Sequence, residues 1–457
     1  MTVTTHSSSG IEHKPGQGHS VAGQAHLPGV RWRVSHIQSS VVTFADQILV
    51  SGCNFLSTAL IARALGLAPF GWYTLIWLAV LLAGALQLGL IVSPMMSIGP
   101  KQGAVAADRY FSVLLVHEIV YCGMAVLGIW ITATLLTASA GTSTSVPVAA
   151  ALAGGAYLAQ DFARRLLFTR QRPRLVLMMD VVNQLSKLAL IAWTWRVSAL
   201  NIESALWIVG AAAIGSTLSV VAFLPTLRFD RADFWPTTVR QWRSARWLTG
   251  TGLMQWAGAN SALIVTGSLL GPAAVGALRA AQTILGVLNI SREAIENIVP
   301  QQAGRALARD GLPGLWAVLV KTAGLGLALG SVVVLALVLL GGKVLRFVYG
   351  PDFERYGFVI AWLSLTFLSA LMILTLVCGF RALERTLPVF MATSAATIVN
   401  LALMYPAVKT FGVSGAIGVL LASDWLVVAI LVVRMRAVFA QTLACVVAGE
   451  GSEGGTQ

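Results

Sequence analysis

Runs of about twenty mainly apolar residues recur along almost the whole chain and are separated by short polar segments. A helix of that length crosses a hydrocarbon core of about 30 Å. Only helices and closed barrels satisfy their backbone hydrogen bonds in lipid, and these runs lack the strict alternation of barrel strands. The pattern predicts an all-α integral membrane protein with about twelve transmembrane helices, at 42–64, 72–98, 111–137, 146–168, 175–196, 204–225, 247–270, 277–300, 314–341, 357–380, 387–408 and 413–433.

Composition argues against a soluble enzyme. Of 457 residues, 57% are hydrophobic and only 11% are charged, whereas an ordinary soluble domain carries about 25% charged residues. The four cysteines are scattered without a CxxC pair, and no nucleotide-binding, serine-hydrolase or zinc-protease motif occurs. We therefore expect no enzymatic activity, no metal and no cofactor, and transport would draw on an ion gradient or the membrane potential.

The formal net charge of +13 comes from basic residues in short loops, which favours the positive-inside pattern over a nucleic-acid partner. With the N-terminus in the cytoplasm, 21 of the 31 Lys and Arg lie on the cytoplasmic side, six on the other side and four within spans. This bias predicts an inner-membrane protein with both termini in the cytoplasm. The expected organisation is a disordered tail (1–38), a six-helix lobe (39–226), a basic linker (227–246), a second lobe (247–436) and a disordered tail (437–457).

A short motif recurs after the first and the seventh predicted helices. The chain reads LGLAPFGWYTL at 65–75 and LGPAAVGALRA at 270–280, so LG-x-A-x-x-G repeats at an offset of 205 residues. LALIAWTW at 188–195 and LALMYPAV at 401–408 are comparable at an offset of 213. Two six-helix halves of the same orientation imply a pseudo-two-fold axis along the membrane normal, a central cavity and alternating access by rocking of the lobes.

Ionisable residues within spans are costly in lipid and mark candidate functional sites. The eighth predicted span places its polar residues on about half of the helix circumference, so that face is expected to avoid lipid. These residues include Arg279, Gln282, Asn289, Arg292, Glu293 and Glu296. Alternatives are that Arg292 pairs with Glu296 at i, i+4 and that Arg279 snorkels to the membrane surface.

The fifth predicted span carries a second stripe, at i, i+3, i+4 and i+7. The first span adds polar residues whose alternative role is to join helices through hydrogen bonds. The stripe and the first-span candidates are Asp180, Asn183, Gln184 and Lys187, with Asp46 and Asn54.

Four segments resemble the polysaccharide-unit translocases (Wzx-type flippases) of the MOP superfamily. Residues 51–75 resemble the first-helix signature of that family, and 270–307 its seventh-to-eighth helix region. YGPDFERYG at 349–357 is similar to the outer loop before its tenth helix. TIVNLALMYPAVKTFGVSGAIG at 397–418 resembles an N-x-x-L…P…G-x-x-G-A hairpin, carried by Asn400, Pro406, Gly412, Gly415 and Ala416.

The resemblance implies two six-helix lobes around a cationic cavity, which move a polyprenyl-diphosphate-linked oligosaccharide from the cytoplasmic to the periplasmic leaflet for surface or exopolysaccharide synthesis. The implied partners are this lipid-linked substrate, membrane lipids and the polysaccharide synthesis machinery. Within that implication, Arg279, Arg292 and Lys187 are the candidates for the diphosphate, because guanidinium and ammonium groups bind phosphate oxygens. Gln282, Asn289, Asn183 and Gln184 are candidates for the sugar hydroxyls, and Asn54 is a further cavity candidate.

Two other functions remain open. A cation-coupled multidrug antiporter of the same superfamily would need an unpaired carboxylate deep in a lobe. The candidates for ion coupling are Asp46 and Asp180, and the carboxylates of the eighth span, Glu293 and Glu296. A membrane-embedded polysaccharide polymerase is the third hypothesis, and loops of at most about twenty residues argue against it.

Overall fold

A computed structural model describes the backbone of residues 29–102, 104–138, 144–223 and 230–453, and their side chains except those of 29–45, 104–105, 289–291, 293–294, 297 and 441–453. Within these ranges the chain is helical and contains no β-strand. The helices are α1 (Gly29–Leu65), α2 (Leu67–Gln87), α3 (Ser93–Ile98), α4 (Ala104–Ala138), α5 (Val146–Thr169), α6 (Pro173–Arg196), α7 (Ile202–Val220), α8 (Arg231–Leu270), α9 (Pro272–Val287), α10 (Asn289–Tyr349), α11 (Gly357–Ala382) and α12 (Leu387–Glu453).

Helices α2 and α3 form one continuous pass, because a π-helical turn at Leu88–Val92 joins them. Two of the longest helices are broken by a glycine with left-handed φ: Gly311 (φ 65°) in α10 and Gly412 (φ 62°) in α12. Eight stretches of the described chain are long and apolar enough to cross a membrane, and two of these contain the glycine breaks. The predicted all-α architecture of about twelve helices in two six-helix lobes is confirmed; α1–α7 form the N-lobe and α8–α12 the C-lobe.

Some segments differ in form from the expected organisation. Residues 231–246, most of the expected basic linker, are the first turns of α8. Helix α1 begins at Gly29 and α12 continues to Glu453, within the ranges assigned to tails. Residues 1–28 and 454–457, the remainder of those ranges, lie outside the described residues.

The repeated glycines have equivalent backbone roles in the two lobes. Gly66 (φ 77°) separates α1 from α2, and Gly271 (φ 83°) separates α8 from α9. Glycine adopts this left-handed region without the steric cost that a Cβ imposes. Each lobe therefore turns from its first to its second helix at the same position of the motif.

The second glycine of each motif lets the two lobes touch backbone to backbone. A Cβ on Gly71 of α2 would lie 1.8 Å from the carbonyl oxygen of Pro272, and one on Gly276 of α9 would lie 2.3 Å from that of Leu67. The contact is reciprocal, since each helix presents its glycine to the first turn of the other. The LG-x-A-x-x-G repeat thus forms a pseudo-symmetric interface between the lobes.

A second pair of turns also repeats. Gln171 (φ 56°) lies between α5 and α6, and Glu384 (φ 57°) lies between α11 and α12, 213 residues later. Three backbone hydrogen bonds recur around them at the same offset, for example from the N–H of Arg172 to Leu167 O and from the N–H of Arg385 to Phe380 O, both 3.0 Å. The offset is the one found for LALIAWTW and LALMYPAV, which confirms the duplication at the level of backbone geometry.

Candidate functional site

A buried ion-pair network joins three helices of the N-lobe. The Arg164 guanidinium of α5 donates from Nε to Asp180 Oδ2 of α6 at 2.6 Å and from Nη2 to Asp46 Oδ2 of α1 at 2.7 Å. Both carboxylates are 2% exposed. Because an unpaired buried charge is strongly unfavourable, one guanidinium shared by two carboxylates fixes how these helices pack.

This network forms one wall of a polar cavity of about 300 Å³. Its polar lining comes from α1, α5 and α6, and aromatic residues of α2 and α5 close another side. One lining residue, Arg279 of α9, comes from the C-lobe. The polar and aromatic residues of the lining are Asn54, Ser57, Thr58, Tyr73, Trp77, Tyr157, Gln160, Asp161, Arg164, Asp180, Asn183, Gln184, Lys187 and Arg279.

The Lys187 ammonium lies at the far end of the α6 stripe. It donates to Asn54 Oδ1 of α1 at 2.8 Å and is 9% exposed. Gln184, one turn earlier, is 3% exposed, and its Oε1 has no hydrogen-bond partner among the described residues. The predicted stripe of α6 therefore faces the cavity, where it presents one cation and an amide with a free acceptor.

Arg279 is the cation that the C-lobe contributes. It lies within α9, and no described carboxylate forms an ion pair with it. The helix around it is anchored by the Tyr349 hydroxyl, which donates to Ala280 O at 3.1 Å. A half-buried guanidinium without a carboxylate leaves its donors directed at a cavity, as an anion-binding site requires.

A second cavity of about 710 Å³ lies on the other side of Arg279. Asn54, Thr58 and Arg279 line both cavities. Gln282 and Thr283 add polar groups to the second one, whereas its α10 wall is apolar and consists of Val333, Leu337, Val344 and Val348. Arg279 therefore lies between a polar compartment and a partly apolar one.

Aromatic rings form the α2 side of the polar cavity. Tyr73 and Trp77, one turn apart, stack with centroids 6.2 Å apart, and Trp77 meets Tyr157 of α5 edge to face at 5.5 Å. Such rings present broad apolar faces with polar atoms at their edges. The cavity can thus contact a ligand that has both polar groups and flat apolar faces.

The structure brings together six of the predicted residues around the polar cavity and one more around the second cavity. Arg279, Lys187, Asn183, Gln184, Asn54 and Asp180 line the first, and Gln282 lines the second. Asp46 lies behind the first cavity, bonded to Arg164.

Other predicted residues lie elsewhere or are not described. Arg292 is exposed and lines neither cavity. Its guanidinium interacts electrostatically with the carboxylate of Asp424 in α12. Glu296 pairs with Arg381 of α11 at 3.0 Å, and both are about half exposed. The side chains of Asn289 and Glu293 lie outside the described residues.

Arg164 is not among the predicted site residues, because its place in the basic run RRLLFTRQRPR at 164–174 favours a role in topology. The spacing of Tyr157, Gln160, Asp161 and Arg164 at i, i+3, i+4 and i+7 is the signal that marks this face of α5. Among the described residues, no group of three His, Cys, Asp or Glu could hold a metal ion.

Several solved structures have a similar fold. An inward-facing multidrug-resistance MATE transporter of the MOP superfamily superposes with a TM-score of 0.68 at 13% identity, over 86% of this chain and 95% of that one. The lipid II flippase MurJ, in an inward closed conformation, gives 0.64 at 12% identity, over 88% and 87%. A MOP superfamily transporter from Pyrococcus furiosus, described as having a binding pocket of reversed polarity, gives 0.57 at 12%, over 87% and 96%.

The chain has the MOP transporter fold. No family model and no curated protein sequence matches it. At 12–13% identity these likenesses show the fold alone. With eight described stretches long and apolar enough to cross a membrane, the chain is a multi-pass membrane protein of this fold.

Proposed function

We propose that this protein is a flippase for a polyprenyl-diphosphate-linked oligosaccharide, which it moves across the bacterial inner membrane by alternating access for surface polysaccharide synthesis. The observation that carries the proposal is Arg279, a guanidinium without a described carboxylate partner at the junction of two cavities. Lys187 faces the same polar cavity and is likewise free of any described ion pair. Two such cations match the charge of a diphosphate.

The carboxylates of the N-lobe support an anionic substrate over a cationic one. Asp46 and Asp180 share Arg164, and Asp161 pairs with Arg165 at 2.7 Å. Each carboxylate that lines the polar cavity therefore forms an ion pair with an arginine, and the cluster in which Asp46 and Asp180 share Arg164 keeps a formal charge of −1. A cation-coupled antiporter would need one of them unpaired.

The two cavities divide the proposed substrate by polarity. The amides of Asn183 and Gln184 and the rings of Tyr73 and Trp77 would contact the sugars. The diphosphate would lie at Arg279, and the apolar wall of α10 is suited to the first isoprene units of the tail.

The orientation follows from the charge bias. The basic ends of α5, α8 and α12 would face the cytoplasm, where short loops rich in Arg are retained. Transport would run from the cytoplasmic to the periplasmic leaflet, driven by an ion gradient or the membrane potential.

The test is the location of diphosphate-linked oligosaccharide in a strain that lacks the gene. We expect it to accumulate in the cytoplasmic leaflet while surface polysaccharide falls. Complementation with Arg279→Ala should restore transport at least about tenfold less well than the wild type, because a hydrogen bond to a charged group contributes about 1.5–3 kcal/mol. Arg292→Ala is the matched control, an arginine of the same predicted span that lines neither cavity, and it should complement.

Unchanged lipid-linked sugars together with raised sensitivity to cationic drugs would replace the flippase by the antiporter. Under that outcome Asp180→Asn should abolish drug resistance, whereas Arg279→Ala should leave it.

A further inference from the structure

A third cavity, of about 720 Å³, lies at the junction of the two lobes and shares no lining residue with the central cavities. One side is the end of α3 with the 3₁₀ turn at Gly99–Lys101, and the other is the first half of α8. Three cations line it, Lys101, Arg240 and Arg243, and no acidic residue does. None of the three forms an ion pair with a described carboxylate.

The first half of α8 is fixed against the N-lobe by one of its faces. Gln241 donates from Nε2 to Ile91 O of the π-helical turn at 2.8 Å, and its Oε1 accepts from the Tyr110 hydroxyl at 3.0 Å. His117 and Thr238 are joined at 2.9 Å. The cationic cavity beside this face is therefore built on a bonded scaffold that spans both lobes.

The other face of α8 is typical of a membrane–water interface. Trp235, Trp242 and Trp247 are 70%, 58% and 73% exposed, and Arg246 lies over the Trp247 ring. Exposed tryptophan beside arginine is enriched where the headgroups of a bilayer lie. Trp235 also lines the cavity, so the three cations adjoin this tryptophan-rich surface.

We propose that Lys101, Arg240 and Arg243 form a binding site for the headgroup of an anionic phospholipid, which bridges the N-lobe and the C-lobe at the start of α8. The site holds the lipid phosphate among the three cations, and Trp235 contacts the adjoining glycerol and acyl region. Bound lipid stabilises the junction, because it neutralises cations from both sides of it. The inference is independent of the transported substrate.

The experiment measures lipid binding and thermal unfolding of the full-length protein in a neutral detergent. Three probes are added in turn: phosphatidylglycerol, phosphatidylcholine and inorganic phosphate. We expect phosphatidylglycerol alone to raise the unfolding temperature. Arg240→Gln/Arg243→Gln should bind it about thirtyfold more weakly, since each surface cation contributes about a factor of five in affinity for an anionic lipid.

The control, Arg305→Gln/Arg309→Gln, removes the same charge at exposed positions outside the cavity, on α10 rather than on the tryptophan-rich helix α8. It should keep the wild-type response. If both double variants lose phosphatidylglycerol binding equally, or if neither loses it, the proposed site is wrong. Equal stabilisation by inorganic phosphate would overturn the lipid and leave a soluble-anion site. If the first double variant is not monodisperse, Lys101→Gln serves in its place, with an expected weakening of about fivefold.

Discussion

The two lobes share a backbone plan but differ in where they place charge. Among the described side chains, the buried Asp, Glu, Lys and Arg residues all belong to the N-lobe: Asp46, Glu118, Asp180 and Lys187. The C-lobe has ion pairs, but those of Arg346 with Glu354 and of Arg381 with Glu296 are exposed. Duplication thus kept the helices and turns, while the chemistry of the interior diverged.

Equivalent positions make the divergence concrete. Lys187 of α6 donates to Asn54 Oδ1 of α1. The equivalent position in the C-lobe, 213 residues later, is Asn400 of α12. Its Oδ1 accepts a hydrogen bond from the Ser261 hydroxyl of α8 at 3.0 Å. Both bonds join the corresponding helices of their lobe, one with a cation and the other with neutral groups. The pairing of these helices therefore does not require charge in both lobes.

The ion-pair network shows the same contrast. At the repeat offsets of 205 and 213, the C-lobe has Thr251, Val377 and Thr393 where the N-lobe has Asp46, Arg164 and Asp180. A six-helix lobe of this fold packs without the three charges. Their presence in one lobe only points to a function of that lobe rather than a need of the fold.

The largest expected effect comes from removing the shared cation. Arg164→Ala leaves two buried carboxylates unpaired, which should destabilise the protein by about 3–5 kcal/mol. Asp46→Asn/Arg164→Gln/Asp180→Asn, which makes the N-lobe as neutral as the C-lobe, should recover most of this loss. Thermal unfolding in detergent measures both. A triple variant as unstable as Arg164→Ala would contradict the view that the unpaired charges cause the loss.

The next effect tests the symmetry of the interface between the lobes. Gly71→Ala and Gly276→Ala each drive a Cβ into a backbone carbonyl, so both should lower stability, by about 1–3 kcal/mol, through overpacking. Gly123→Ala, where nothing lies within 4 Å of the added carbon, is the control and should leave stability unchanged or raise it by up to about 1 kcal/mol, because alanine favours the interior of a helix. Similar unfolding temperatures for the two interface variants are expected; a loss in only one would break the pseudo-symmetry.

The smallest effect concerns the repeated turns. Gln171 and Glu384 hold left-handed φ with a Cβ present, a conformation that costs about 1–2 kcal/mol for such residues. Glycine relieves that strain in the folded protein, but it also raises the conformational entropy of the unfolded chain, which lowers stability. We expect Gln171→Gly and Glu384→Gly to raise stability by similar amounts of about 0.5 kcal/mol, as read from denaturant unfolding. If glycine stabilises one lobe and destabilises the other, the two turns do not carry the same backbone strain.

The number of helices and the two-lobe organisation were predictable, because apolar runs and the glycines that separate helices can be recognised from local sequence. The α6 stripe was also predictable, since Asp180, Asn183, Gln184 and Lys187 lie on one continuous helix. The eighth predicted span was not, because α9 ends at Val287 and α10 begins at Asn289. Arg279 and Gln282 of α9 line the cavities, whereas Arg292 lies beyond the break, about 20 Å further along the chain axis, and lines neither.

Arg164 could not be assigned from charge bias alone. Its neighbours Arg165, Arg170 and Arg172 give the same local pattern. Its role depends on Asp46, which is 118 residues distant in the chain. The spacing from Tyr157 marks its face of α5 in the sequence, and the packing of α1, α5 and α6 shows which two carboxylates it meets.

The close approach of α2 and α9 at Gly71 and Gly276 has a mechanical consequence. Two rods that touch backbone to backbone near one end act as levers about a fulcrum. Beyond the contact α2 continues for 16 residues and α9 for 11, arms of about 24 Å and about 16 Å, so a tilt of about 10° there would displace their far ends by about 4 Å and about 3 Å. Small movements at the end that the charge pattern places outside the cytoplasm would thus become large at the opposite mouth.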